Sequence, residues 1–359
     1  MTEFVPTPEV ADLRAAVRDH CGRTWDEQAV RAVSEEGKPA QEAWRELGTQ
    51  LGVLGLTVPE RWGGGGAGVV EAAVVAEELG AALAPVPYLS AAFAARLLTD
   101  SGDEAACADL LPALCAGERT YAVVTTPVSV TKDGSAWRLT GTAAQVVDGP
   151  GATDLLVVAD GALFHVDTAT DGGTLDPVPT LDLTRRQADV RFDGAPARRV
   201  GAGVDLAAAT EVVVTLLAAE LVGVARTMLD VAVSYAKERL QFGRPVGSFQ
   251  AVKQRCADLL VEVELARSVA EHAAWTHDHG GDDPALATSL AQVVATDAAR
   301  AVTGGAIQVL GGVGFTWEHR AHLYYKRAVA AAALWGGRDH RDRLALLAVD
   351  QNERNRHVR

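Results

Sequence analysis

The stretch YAKERLQFGRPVGSFQAVK, Tyr235 to Lys253, decides how this chain is read. It closes a long apolar helix with the charged turn Lys237-Glu238-Arg239. Gly243-Arg244-Pro245 then breaks that helix, because Pro lacks the amide hydrogen that a continuing helix needs. Ser248 is a good N-cap for a helix that restarts after it. Arg239 thereby falls in the last turn of the first helix, beside a Gly-containing bend and Phe242. A guanidinium held there offers a phosphate its planar fork of donors. The plain alternative is a cation at the negative end of a helix dipole.

A second stretch, QVLGGVGFTWEH from Gln308 to His319, carries paired glycines. Such a pair lets a backbone approach a ligand closely, or simply ends a helix. The chain has 359 residues, enough for two or three packed domains. Its hydrophobic content of 48% is that of a globular protein. A net charge of −14 counts against nucleic-acid binding through a basic surface, while leaving room for a local basic pocket. Cys21, Cys107, Cys115 and Cys256 lack the close pairing of a zinc site, and no metal is expected. They give no disulfide framework, so a cytoplasmic location is expected. No secretion signal and no membrane-spanning apolar run is read from the sequence.

Three segments follow from the periodicities. Residues 1–120 read as helices, with Val10, Leu13 and Val17 at helical spacing after Pro8, further helices over Ala43–Leu51 and Val69–Ala82, and a Gly-rich loop at Gly63–Gly68. That loop lacks the Lys-Ser/Thr of a phosphate-binding loop. Residues 121–205 read as a small antiparallel β domain, a barrel or sandwich. Its expected strands are Ala122–Thr126, Trp137–Thr140, Leu155–Ala159, Ala162–Val166 and Ala188–Phe192, with turns at Asp133-Gly134, Asp148-Gly149 and Asp160-Gly161. Residues 206–359 read as a C-terminal helical bundle: one long helix over Ala207–Leu240, then Val252–Ala273, Pro284–Val309, His322–Leu334 and Asp339–Asp350, with a frayed end from Asn352.

The two quoted stretches, in this order and at this separation, resemble the C-terminal half of the acyl-CoA dehydrogenase family. The front half agrees through LGLTVPERWGGGGAGV (54–69), VVAEELG (74–80) and APVPYL (84–89). The resemblance implies an α+β multidomain fold: an N-terminal helical domain, a small antiparallel β-barrel and a C-terminal four-helix bundle. It implies FAD as cofactor, an acyl-CoA substrate and an electron-transfer acceptor. It also implies that Arg239, Phe242, Gln250, Gln308, Gly311 and Gly312 contact FAD, reaching across a subunit interface to the cofactor seated in a neighbour.

The flavin-ring side departs from the family pattern. Where the family has Thr-Glu-Pro followed by a small-residue loop, this chain has Thr125-Thr126-Pro127-Val128-Ser129-Val130; where it has Trp-Ile-Thr-Asn, this chain has Gln145-Val146-Val147-Asp148. Valine methyls cannot replace a hydroxyl donor. The family's base is absent from both usual places, the loop Ala333–Gly337 and the pair Val213-Val214. Glu220, in the apolar run Leu216–Gly223, is the candidate catalytic carboxylate, since desolvation raises a carboxyl toward the proton-transfer range. Its structural alternative, which the position about two turns past the family's usual place favours, is a buried Glu satisfied by an Arg or by backbone across the bundle. The leading expectation is a subunit of a heteromeric acyl-CoA dehydrogenase (a heterotetramer) that completes a catalytic partner's FAD site on a bulky substrate such as a sterol side chain. A self-sufficient homo-oligomer using Glu220 or Asp339, and a flavin-free binding protein on the same fold, are the alternatives.

Overall fold

Pro8 opens the first helix, as its fixed φ favours, and Thr7 Oγ1 accepts from the Val10 amide at 3.4 Å. The structure, a computed structural model, describes residues 7–134 and 136–357. Helices α1 (Pro8–Thr24), α2 (Glu27–Ser34), α3 (Gln41–Thr49), α4 (Val69–Ala81), α5 (Tyr88–Asp100) and α6 (Glu104–Cys115) come first. Strands β1 (Tyr121–Val124), β2 (Ser129–Asp133), β3 (Ala136–Val147), β4 (Asp154–Ala159), β5 (Ala162–Asp167), β6 (Gly173–Val178) and β7 (Gln187–Gly201) follow. Then come α7 (Leu206–Glu238), a short hairpin of β8 (Leu240–Gln241) and β9 (Arg244–Pro245), and helices α8 (Gln250–His279), α9 (Pro284–Leu310), α10 (Ala321–Ala331) and α11 (Gly337–His357). The end expected to fray from Asn352 is helical as far as His357.

The chain divides into two compact units. One holds Met1–Glu27, Ala73–Ala84 and Val214–Arg359; the other holds Gln28–Ala72 and Pro85–Val213. In the second unit the sheet runs β1-β4-β5-β7-β3-β2, with β6 also on β7. It curls around a core that includes Leu139, Val157, Phe164, Val190 and Phe192. Asp160 and Gly161, at φ 50° and 73°, form the two-residue turn between β4 and β5. One pairing corrects the all-antiparallel expectation: β1 lies parallel to β4. The β2–β3 hairpin intervenes between them, so the connection from β1 to β4 is a crossover, which parallel neighbours require. Strands β2 and β6 escaped the sequence reading. The first is polar and largely exposed, and the second contains Pro177, which a strand tolerates only where its missing donor is not needed.

In the first unit, α4 and α7 cross with their backbones in contact. A Cβ on Gly223 would collide with the Glu77 carbonyl, and one on Gly80 would collide with that of Glu220. The crossing is reciprocal: Glu77-x-x-Gly80 meets Glu220-x-x-Gly223, and each glycine receives the other helix's glutamate carbonyl. Glu77 and Glu78 are 4% and 2% exposed, and their side chains sit in a cage of arginines. Arg14 reaches Glu77 at 2.5 Å and Glu78 at 2.9 Å; Arg18 reaches Glu78 at 2.9 Å, Arg226 reaches it at 3.1 Å, and Arg267 reaches Glu77 at 2.7 Å. The cage ties α1, α7 and α8 to α4. Helix α7 is the one helix among the described residues long and apolar enough to cross a membrane, and 89% of its most apolar window is buried inside the protein.

Candidate functional site

Helix α7 stops at Glu238, and the Arg239 amide still donates to the Tyr235 carbonyl at 2.8 Å. Arg239 therefore lies one residue past the helix, and its exposed guanidinium has no partner among the described residues. The break expected at Gly243-Arg244-Pro245 is a two-residue hairpin. Leu240 pairs with Pro245 and Gln241 with Arg244, and Phe242 and Gly243 turn the chain at φ 54° and 76°. Gly adopts such a φ freely; a bulky aromatic does not. Phe242 is nonetheless placed there with its ring 92% exposed. The Val246 amide closes the hairpin on the Arg239 carbonyl at 2.8 Å. Arg244 lies over the Phe249 ring, 4.0 Å from its centroid.

Ser248 does not cap α8, contrary to the sequence reading. A 3-10 turn occupies Val246–Ser248, Phe249 takes the N-cap position in extended backbone, and the Ser248 hydroxyl is buried without a hydrogen-bond partner. Gln250 is the first helical residue and is exposed.

Helices α8 and α9 run antiparallel. Leu259 fills the space above Gly305 at one end, and His277 Nε2 meets Thr288 Oγ1 at 3.1 Å toward the other. This pairing sets the start of α8 beside the end of α9. Gln250 and the Arg239–Phe242 hairpin thus share one end of the helix pair with Gln308, Gly311 and Gly312. Gln308 is exposed, Gly311 turns at φ 66°, and a Cβ on Gly311 or Gly312 would meet nothing within 4 Å. Phe315 and Trp317, 76% and 54% exposed, follow directly. All six residues expected to contact the cofactor are therefore gathered at one end of one unit, facing outward. A free guanidinium fork, two side-chain amides and open glycine backbone fit the polar phosphate portion of FAD.

The ring-side segment, in the other unit, does not fit the flavin ring. Gln145 sits in a β-bulge at φ 56°, and its amide donates to Asp189 Oδ1 at 2.9 Å. Val146 is buried in the sheet core, and neither Val146 nor Val147 has a side-chain donor. Asp148 Oδ2 accepts from Ser90 Oγ at 2.6 Å.

Glu220, the candidate base, is 5% exposed and accepts from Arg327 Nη1 at 2.8 Å, with Arg327 2% exposed. Two buried opposite charges joined in this way form a structural pair, and Glu220 points its carboxylate at a fixed cation. Val213 and Val214 are buried. In the loop before α11, Trp335 and Gly336 turn at φ 44° and 81°, and Asp339 stands exposed in the first turn of that helix. Among the described residues no group of three or more His, Cys, Asp and Glu could hold a metal. The sequence reading missed the Glu77–Glu78 cage. Two adjacent glutamates in the apolar helix 69–81 were the available signal, since both cannot be buried without cations.

Residues 7–118 match the acyl-CoA dehydrogenase N-terminal domain and residues 210–348 the acyl-CoA dehydrogenase C-terminal domain. The chain is 38% identical over 310 residues to acyl-CoA dehydrogenase IpdE2 of Mycolicibacterium smegmatis, covering 86% of this chain and 88% of that protein. Among solved structures it is similar to a chain of the ChsE4–ChsE5 complex from Mycobacterium tuberculosis, with 30% identity, a TM-score of 0.88 and coverage of 98% of this chain and 99% of that one. It is likewise similar to a chain of the Tcur3481–Tcur3483 steroid ACAD G363A variant, with 30% identity, a TM-score of 0.86 and coverage of 96% and 99%.

Proposed function

This chain belongs to the acyl-CoA dehydrogenase family, oxidoreductases acting on acyl-CoA, and from that premise we propose that it is the subunit that completes a partner's FAD site in a heteromeric enzyme. The carrying observation is an asymmetry. The phosphate-side set, Arg239, Phe242, Gln250, Gln308, Gly311 and Gly312, is outward-facing with its cation free. The chain's own ring-side edge at Gln145–Val147 has its Gln145 backbone amide committed to Asp189 and carries no hydroxyl donor. A chain built in this way gives to a cofactor seated elsewhere and holds none of its own securely. The similar ChsE4–ChsE5 structure, a complex of two differently named proteins, supports a second acyl-CoA dehydrogenase chain as partner. A steroid-type, bulky acyl-CoA thioester is the substrate this reading favours.

FAD, when bound, supplies the acceptor for the hydride that leaves the β carbon. The residues of this chain bind and orient. Arg239 grips phosphate through its fork, Gln250 and Gln308 hydrogen-bond polar edges, and Gly311–Gly312 let backbone approach. The α proton is taken by a carboxylate of the partner, because Glu220 is committed to Arg327. An exogenous electron acceptor and a cytoplasmic setting complete the reading.

The test is a flavin count. Produced alone, the chain should hold well under one FAD per subunit. Produced together with a catalytic acyl-CoA dehydrogenase partner chain, the purified assembly should hold about one FAD per pair of unlike chains. Full loading of the lone chain would replace this reading with a self-sufficient homo-oligomer.

A further inference from the structure

Helix α8 is apolar on two faces. One face, with Leu259, Val263, Ala266 and Ala270, is buried within its unit. The other runs along the outside. There Leu260, Val261 and Leu265 are 48%, 66% and 51% exposed. Exposed Lys253, Ala257 and Glu264 complete the stripe. From Lys253 the spacing is i, i+4, i+7, i+8, i+11 and i+12, which keeps all six on one side of the helix. A helix that is apolar toward its neighbours and again toward water has a second face for something else to cover. The stripe begins one turn after Gln250 and includes none of the residues assigned above to FAD.

The order of its charges says what covers it. Lys253 and Arg255 come before the apolar centre, and Glu262 and Glu264 come after it. A helix with a basic beginning and an acidic end is complementary to itself when turned end for end. Two copies related by a two-fold axis across the helix run antiparallel and present the same patch to each other. With the axis level with the link from Asp258 to Leu259, Lys253 of each copy faces Glu264 of the other, and Ala257 faces Leu260. Within the chain Glu264 is loosely engaged. Its side chain is 59% exposed and lies 3.9 Å from Arg267 Nε, while Glu77 holds that guanidinium at 2.7 Å. Asp258, closest to the axis, sits at the edge of the stripe, where Gln254 Nε2 donates to it at 2.9 Å.

We propose that the outer stripe of α8 is a contact between two copies of this chain. They pack antiparallel through Ala257, Leu260, Val261 and Leu265, and two reciprocal Lys253–Glu264 ion pairs fix the register. Helices that meet through one stripe cross at an angle, so the pair separates toward both ends and Gln250 stays outside the contact. The heterotetramer expected from the sequence holds two copies of each chain, and this like-to-like contact gives it a second interface. The proposal does not rest on the flavin reading, since the same contact joins two copies of the lone chain.

The test is the molar mass of the full chain alone, by sedimentation equilibrium over a range of concentrations. The parent should sediment as two chains, and Leu260→Glu as one. Lys253→Glu and Glu264→Lys each set like charges against each other twice, and each should raise the dimer Kd by at least about tenfold. Combined in one chain, the two changes put opposite charges across the axis again and should restore the dimer. All three positions are exposed, so these variants leave the core of the monomer as it is. A chain that is monomeric at every concentration would overturn the proposal and leave the stripe to an unlike chain. A dimer that survives Leu260→Glu, or a doubly exchanged chain that stays apart, would overturn it as well.

Discussion

At the scale of the residue, the deciding fact about Glu220 lies 107 positions away, in Arg327. Sequence reasoning found the carboxylate because it interrupts an apolar run, and could weigh a guanidinium across the bundle only as a type. Which arginine answers it is settled by folding. The pair predicts a distinctive pattern of stability. Glu220→Gln removes the negative charge facing the buried Arg327 and should cost about 3–5 kcal/mol, whereas Glu220→Leu with Arg327→Met should be near neutral. Urea unfolding midpoints check this, and a Glu220→Gln chain as stable as the parent would remove the ion pair from the account. In the assembled enzyme, single-turnover bleaching of the flavin by acyl-CoA should be unchanged in any folded Glu220 variant. A loss of two to four powers of ten there would make Glu220 the base after all. Arg239 is the contrary case: its neighbours in sequence are also its surroundings in space, so its place beside the hairpin could be read locally. Arg239→Ala should weaken flavin retention by roughly 1.5–3 kcal/mol, and Arg239→Lys should recover only part of it. Dialysis followed by absorbance measures both, and parental retention in both variants would favour the helix-dipole alternative.

At the scale of the element, helices and hairpin turns were legible because their signals are local: an apolar period, a capping residue, an Asp-Gly pair. What was not legible depends on partners. Ser248 looks like a cap until a 3-10 turn takes up the residues before Phe249. The parallel pairing of β1 with β4 depends on a crossover that no single strand announces. The α4–α7 crossing belongs to the same class. Gly80 and Gly223 read as ordinary helical glycines, each weakening its helix by about 1 kcal/mol relative to Ala. In the folded unit each admits the other helix's carbonyl. Gly223→Ala should therefore destabilise by at least about 1–3 kcal/mol although intrinsic propensity favours Ala. A rise in the thermal midpoint of that variant would show that the two backbones do not touch.

At the scale of the whole molecule, the arrangement of helices, strands and helices could be read from the sequence, but the charge network that ties α1, α7 and α8 to α4 could not. Arg14, Arg18, Arg226 and Arg267 look like surface residues one at a time. Together they give the protein a definite acid response. Burial alone would raise the Glu78 carboxyl, but hydrogen bonds from Arg18 and Arg226 hold it at about 2 against an ordinary 4.5. The folded state thus prefers Glu78 ionised. That contribution, roughly 3 kcal/mol, is complete above the ordinary carboxylate range and is lost as pH falls from about 4.5 toward 2. Asp154 adds in the same direction: burial would raise it too, and His165 and Thr153 outweigh that. Glu271, raised chiefly by burial, acts oppositely. Urea midpoints taken from pH 6 to pH 3 should fall, and fall less steeply in Glu78→Gln; parallel curves would exclude the cage as the source. The outward-facing end of the α8–α9 pair has a different consequence, for the economy of the cell. Phe242, Phe315 and Trp317 stand in water whenever the chain is alone, and folding-control machinery removes chains by that mark. On the proposed pairing, the abundance of this protein should then track synthesis of the second chain rather than its own transcript, with any surplus degraded as an orphan.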